Sequence, residues 1–216
     1  MCANRYCYGM SDLPEIQQRE MAALADDLSA LEPGQWRSPT LCADWDVEEV
    51  VAHLGGAAST TRWAWIRSMV AARFNPDVHN RRRLEAFRGA TPQETLERFR
   101  RVGPIASPIK PSPAGLGEVI VHAEDIRRPL GLRHHPDAAG LLAVARFFAT
   151  KDFAVKSKTL VQGLALQATD ADFRAGAGPE VSGPLLSLVL VMAGRAAFLP
   201  DLSGDGVPEL SRRLSS

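Results

Sequence analysis

Glu118 and His122 stand four residues apart in the run Glu118-Val119-Ile120-Val121-His122. On a helix, residues at that spacing share a face, with Cβ atoms about 5–6 Å apart. A carboxylate and an imidazole so placed can grip one cation together. A complete site needs a third donor from another element. His53 is the other histidine inside an early predicted helix, whereas His79, His134 and His135 fall in predicted loops. Two histidines and one carboxylate, with the remaining positions open to water or substrate, form the layout of catalytic zinc and of the facial-triad metals. The same spacing has a plainer reading. On a solvated helix a Glu/His pair makes only a weak surface contact. A helical wheel sets Glu118 and His122 away from the apolar stripe of their helix and His53 at the edge of its own. Burial of the Glu118–His122 helix on both sides, by a bundle and by a C-terminal domain, favours the metal.

Other groups carry weaker signals. Asp125 lies one turn after His122 and suits the role of carboxylate partner to a ligating imidazole; an ion pair with Arg128 is the alternative. Cys42 has no basic partner nearby in sequence and reads as a quiet cysteine. Trp45, Trp63 and Trp65 are candidates for a pocket wall, with core packing the better reading for Trp45. Arg81-Arg82-Arg83 reads as a solvated turn.

The elements that must position these groups are mainly helical. Met21, Leu24, Leu28 and Leu31 form an apolar stripe on a helix from about Ser11 to Leu31, stopped by Pro33-Gly34. A second helix starts after Trp45, with Asp46 as N-cap, Glu49 completing a capping box, and Trp45 and Val50 as a hydrophobic staple. It is expected to run to about Phe74, through Gly55-Gly56. Two helical glycines cost on the order of 2 kcal/mol relative to alanine, so something must approach the backbone closely there. Thr91-Pro92-Gln93-Glu94 opens a third helix ending at Gly103-Pro104. Ser112-Pro113 opens a fourth, carrying Leu116, Val119, Ile120, Ala123 and Ile126 on one side and ending at Gly131. Pro136 opens a fifth, to Thr150. The last third changes character: a strand over Thr159–Ala168, a turn at Asp170–Asp172, a short strand near Phe173, a helix Leu185–Ala197, a turn at Asp201–Gly206 and a short terminal helix. These elements predict a mainly α protein, residues 11–150 forming a metal-binding helical bundle and 151–216 a small α/β domain.

Lys plus Arg equals Asp plus Glu at 25 each, so the net charge is zero. That balance argues against a nucleic-acid partner, which calls for excess positive charge. The longest apolar candidate, Leu185–Ala193, falls well short of the roughly 18 residues a membrane span needs. The first ten residues lack a signal-peptide layout, and Met10 is a second candidate start. Three cysteines, two of them Cys2 and Cys7, give no disulfide framework and point to a reducing cytoplasm.

The segment Trp45-Asp46-Val47-Glu48-Glu49-Val50-Val51-Ala52-His53-Leu54 resembles the second-helix signature of the DinB-like, mycothiol-dependent maleylpyruvate isomerase family. Glu118 to Gly131, with Glu-x-x-x-His-x-x-Asp and then Arg-Pro-Leu-Gly, resembles its metal-binding helix. Gly178-Pro179-Glu180-Val181-Ser182-Gly183-Pro184 and Ala193-Gly194-Arg195 resemble its C-terminal region. The resemblance spans about residues 11–208. It implies a DinB-like four-helix bundle with a divalent metal, usually zinc, on His53, Glu118 and His122. It further implies mycothiol as co-substrate, activated as a metal-bound thiolate with no separate general base. Arg127 and Arg128 are candidates for the carboxylate of that thiol or of an acidic substrate, with a solvated helix end the better reading. The implied activity is that of a thiol-dependent transferase or isomerase acting on a small electrophile, as a monomer or homodimer. The alternative is a non-catalytic metal-binding module serving a stress response.

Overall fold

The structure, a computed structural model, describes residues 12–42, 45–60, 67, 75–105, 113–153 and 155–215. Trp63, Trp65, Cys2, Cys7 and Met10 lie outside the described residues. The chain divides into two compact units at His134/His135. The division expected at Thr150 differs by one helix, Ala138–Thr150, which packs on Leu185–Met192 within the second unit. No described helix is long and apolar enough to cross a membrane.

The first unit holds α1 (Leu13–Ser29), a 3-10 turn (Pro33–Arg37), α2 (Val47–Ala58), α3 (Pro76–Phe87), α4 (Pro92–Arg100) and α5 (Ala114–Leu130). The expected stripe of α1 is buried: Met21, Leu24 and Leu28 are each at most 2% exposed. It packs on α4 and α5, while α2 packs on α3, α4 and α5. One apolar core joins these helices, including Leu24, Val50, Leu54, Phe99, Val119 and Ile126. Trp36 fills part of it from the 3-10 turn.

Helix α2 begins as its capping box requires. Asp46 accepts the Glu49 N–H at 2.9 Å, and Glu49 accepts the Asp46 N–H at 3.1 Å. The helix ends at Ala58, capped at Ser59, so the expected continuous run to Phe74 is corrected; most of residues 60–74 lie outside the described set. Gly55-Gly56 has the close approach that its cost implied. A Cβ on Gly55 would stand 2.1 Å from the Phe87 ring, and one on Gly56 would stand 3.0 Å from the Arg83 carbonyl oxygen.

Both contacts come from α3, which sequence reasoning missed. Arg81-Arg82-Arg83 belongs to this helix rather than to a turn, and His79, expected in a loop, is buried within it. Arg83 reaches across to α2 and donates to the Gly56 carbonyl at 2.7 Å.

A second knot ties α2 to its neighbours. The Glu48 carboxylate is 1% exposed and meets Arg37 at 2.9 Å, Arg88 at 2.8 Å and the Thr95 hydroxyl at 2.9 Å. Three elements are thereby pinned to one buried charge.

Helix α5 is buried nearly all round: every residue from Leu116 to Arg127 except Glu118 is buried. Near its end stands Pro129, which has no N–H to give to the carbonyl four residues back. That carbonyl is Asp125's, and the Leu41 N–H takes it instead, at 3.0 Å. The loop before α2 is thus stitched to α5. Gly131, at φ 68°, closes the helix.

The second unit contains α6 (Ala138–Thr150), a helical turn α7 (Ser157–Leu160), strands β1 (Ala165–Ala168), β2 (Arg174–Gly176) and β3 (Glu180–Gly183), α8 (Leu185–Met192) and α9 (Val207–Leu214). Asp137 caps α6 by accepting the N–H groups of Ala139 and Gly140. The sheet order is β2-β1-β3, with β1 antiparallel to β2 and parallel to β3. The strand expected from Thr159 starts only at Ala165, because Ser157–Leu160 takes a helical turn first. Strand β3 was not anticipated. Helix α8 ends at Met192 rather than Ala197; Gly194, at φ 88°, turns the chain into a 3-10 segment, Ala196–Asp201. The chain is mainly helical, with a small α/β part near its C-terminus.

Candidate metal centre

The local folding of α2 and α5 brings the three singled-out residues together within the first unit. The capping box sets the start of α2, and His53 sits two turns on. Glu118 and His122 face it from successive turns of α5. His53 Nε2 lies 3.0 Å from Glu118 Oε1, and His122 Nε2 lies 3.5 Å from the same oxygen. One donor atom from each residue falls within 4.8 Å of both others. Ligands of a tetrahedral zinc, with bonds of about 2.0–2.2 Å, stand about 3.3 Å from one another. The two short separations already bracket that spacing.

Burial decides against the surface-pair reading. His53 is 7% exposed and His122 8%, while Glu118 keeps an opening to solvent with 31% of its side chain exposed. The imidazoles meet edge to face, with ring centroids 5.0 Å apart. Trp45 covers them, its ring 4.8 Å from that of His53 and 6.4 Å from that of His122. Trp45, which also packs on the core, is therefore a wall of the site.

Asp125 is fully buried, and its Oδ2 lies 2.9 Å from His122 Nδ1. That contact leaves Nε2 facing Glu118 and His53. An imidazole held by a carboxylate in this way is oriented and made more basic for a metal.

The electrostatics match this wiring. Burial opposes the charge on Glu118, yet hydrogen bonds from His122 and His53 hold its carboxyl well below the usual range. Burial opposes protonation of His122 too, but Asp125, Cys42 and Glu118 together push its pKa well above 6.5. A cation must displace that proton, because only the neutral imidazole ligates. Apparent affinity for a divalent metal is therefore expected to climb as pH rises past 6.5, with proton release. Chelator-competition titrations at several pH values check this; a flat profile contradicts it. In the metal-free protein the sign is opposite. The raised His122 pKa stabilises the fold below 6.5, and that contribution is lost as pH rises through the folded value.

Arg127 and Arg128 part company. Arg127 is 1% exposed and donates from Nε to Asp27 at 2.7 Å, tying α5 to α1, and from Nη1 to Glu124 at 3.4 Å. Arg128 is exposed. Six residues after His122, it lies about 240° round the helix from that ligand.

Sequence reasoning missed one neighbour. Cys42 lies within hydrogen-bonding reach of His122, eighty positions away, so the basic partner that its sequence surroundings lacked is supplied by the fold. Its only sequence signal was the short distance to Trp45.

Residues 18–107 match the family described as the mycothiol maleylpyruvate isomerase N-terminal domain. That span includes Cys42, Trp45 and His53 but not Glu118 or His122. Among solved structures, a crystal structure of the mycothiol-dependent maleylpyruvate isomerase matches with a TM-score of 0.60 and 16% identity, covering 92% of this chain and 93% of that one. A crystal structure of a histidine-to-alanine mutant of the isomerase matches with the same TM-score and coverage at 15% identity. At such identities the likeness is one of fold. No curated protein matches the chain.

Proposed function

We propose that this chain, whose residues 18–107 belong to the mycothiol maleylpyruvate isomerase N-terminal domain family, is a metal-dependent enzyme that uses a low-molecular-weight thiol to isomerise or conjugate a small electrophile. The observation that carries the reading is the convergence of two buried imidazoles, His53 and His122, on one oxygen of the partly exposed Glu118, at 3.0 and 3.5 Å. These three residues would hold a divalent cation, with zinc favoured by the nitrogen-rich set. A cation there supplies Lewis acidity, lowering the pKa of a bound thiol so that it is a thiolate at neutral pH. The chain's own residues do the rest. Asp125 fixes His122 with Nε2 towards the site. Trp45 keeps water from the imidazoles. The opening at Glu118 is where thiol and electrophile would enter. Mycothiol is the thiol that the family match favours, and a reducing cytoplasm is the compartment that suits it.

Purified full-length chain supplied with zinc tests this. With mycothiol it is expected to consume bromobimane, or to convert maleylpyruvate from cis to trans, and to stop on chelation. The His53→Ala variant is expected to lose at least about two orders of magnitude of that rate. Turnover that ignores the thiol overturns the reading. Metal-loaded protein that turns over no electrophile with any thiol points to the non-catalytic binding module.

A further inference from the structure

His122 presents two ring nitrogens to two different sets of donors. Nε2 faces Glu118 and His53. Nδ1 faces Asp125 at 2.9 Å, and Cys42 lies within hydrogen-bonding reach of the same ring. The sulphur of Cys42, a His122 nitrogen and an Asp125 oxygen all lie within 4.8 Å of one another. We propose that Cys42, His122 and Asp125 form a second cation site, selective for a thiophilic metal ion, that competes with the first for His122.

Backbone hydrogen bonds place Cys42 beside α5. The Leu41 N–H is bound to the Asp125 carbonyl at 3.0 Å, which holds the residue before Cys42 against α5. The Thr40 hydroxyl accepts the Cys42 N–H at 3.1 Å and donates to the Trp45 carbonyl at 2.9 Å, closing the loop from within. Cys42 is half-buried. The donors differ in kind from the first set. A thiolate is soft and selects ions such as Cd2+ over Mg2+ or Mn2+, whereas two imidazoles and a carboxylate favour borderline ions. On binding, the Cys42 thiol gives its proton to solvent and forms a sulphur–metal bond. The Asp125 carboxylate turns from accepting the His122 N–H to ligating the ion, and Nδ1 loses its proton. An imidazole bridging two cations would have to be fully deprotonated, so at neutral pH the two ions compete for His122. A thiophilic ion on this side thus withdraws His122 from the first set.

The probe is Cd2+, with full-length protein carrying Cys2→Ser and Cys7→Ser so that Cys42 is the sole thiol. The decisive background adds His53→Ala, which breaks the first set. In that background Cd2+ is expected to raise a thiolate-to-cadmium charge-transfer band to about one equivalent. The further change Cys42→Ser or Cys42→Ala abolishes the band, and Asp125→Asn weakens Cd2+ binding by roughly ten- to a hundredfold. Circular dichroism confirms that each variant folds. No band in the His53→Ala background, a band that survives loss of Cys42, or Cd2+ affinity indifferent to Asp125→Asn overturns the second site. Failure of the first set reads out separately, as zinc binding in the parent protein that does not depend on His53.

Discussion

Replacing His122 by alanine is expected to leave a protein that purifies without metal and has no thiol-dependent turnover. The loss exceeds that of any other single change at the centre, because His122 contributes twice. Its Nε2 faces Glu118 and His53, and its Nδ1 occupies Asp125. Without the imidazole, Glu118 and His53 remain as a two-donor set, too few for a closed hold on zinc. Asp125→Asn forms the graded control. The amide oxygen can still accept the His122 N–H, so orientation survives while the charge is lost, and affinity falls by roughly ten- to a hundredfold. Elemental analysis of the purified proteins, followed by chelator competition, ranks the two variants. Equal metal content in His122→Ala and the parent removes the centre from the account.

The largest effect on stability is expected away from the metal. Changing Arg37 and Arg88 together to alanine leaves the Glu48 carboxylate, 1% exposed, without either guanidinium and with the Thr95 hydroxyl as its remaining partner shown here. An uncompensated buried charge of this kind costs about 3–5 kcal/mol. Each single change costs much less, since the other arginine stays. Adding Glu48→Gln to the double variant is expected to restore most of the loss: the charge is gone, and the amide can still bond Thr95. Urea denaturation of the parent and the four variants measures the series. If the triple variant is no more stable than the double, the buried charge is not what the arginines serve.

Much of this arrangement was legible in the sequence, for reasons that are local. The capping box at Asp46 and Glu49 depends on three-residue spacing, and it forms as read. The Glu118–His122 pair depends on the helical repeat. Gly55-Gly56 announced a close approach without naming what approached. What came close was α3, and its own sequence concealed it: Pro76–Phe87 carries three consecutive arginines and little apolar residue to set a period. Its helix is defined by packing on the two glycines. The parallel partner strand, Glu180–Gly183, is short, has Gly and Pro around it and pairs with a strand fifteen residues earlier in register, so no local pattern marks it. Cys42 and His122 are eighty positions apart, and only the assembled bundle makes them neighbours.

Pro129 lies beyond the metal-binding side chains on α5, yet its missing N–H decides where the Asp125 carbonyl bonds. Any other residue there would bring an N–H that competes with Leu41 for the Asp125 carbonyl. A single missing hydrogen, about two turns beyond His122, thus leaves a helix carbonyl to the residue before Cys42.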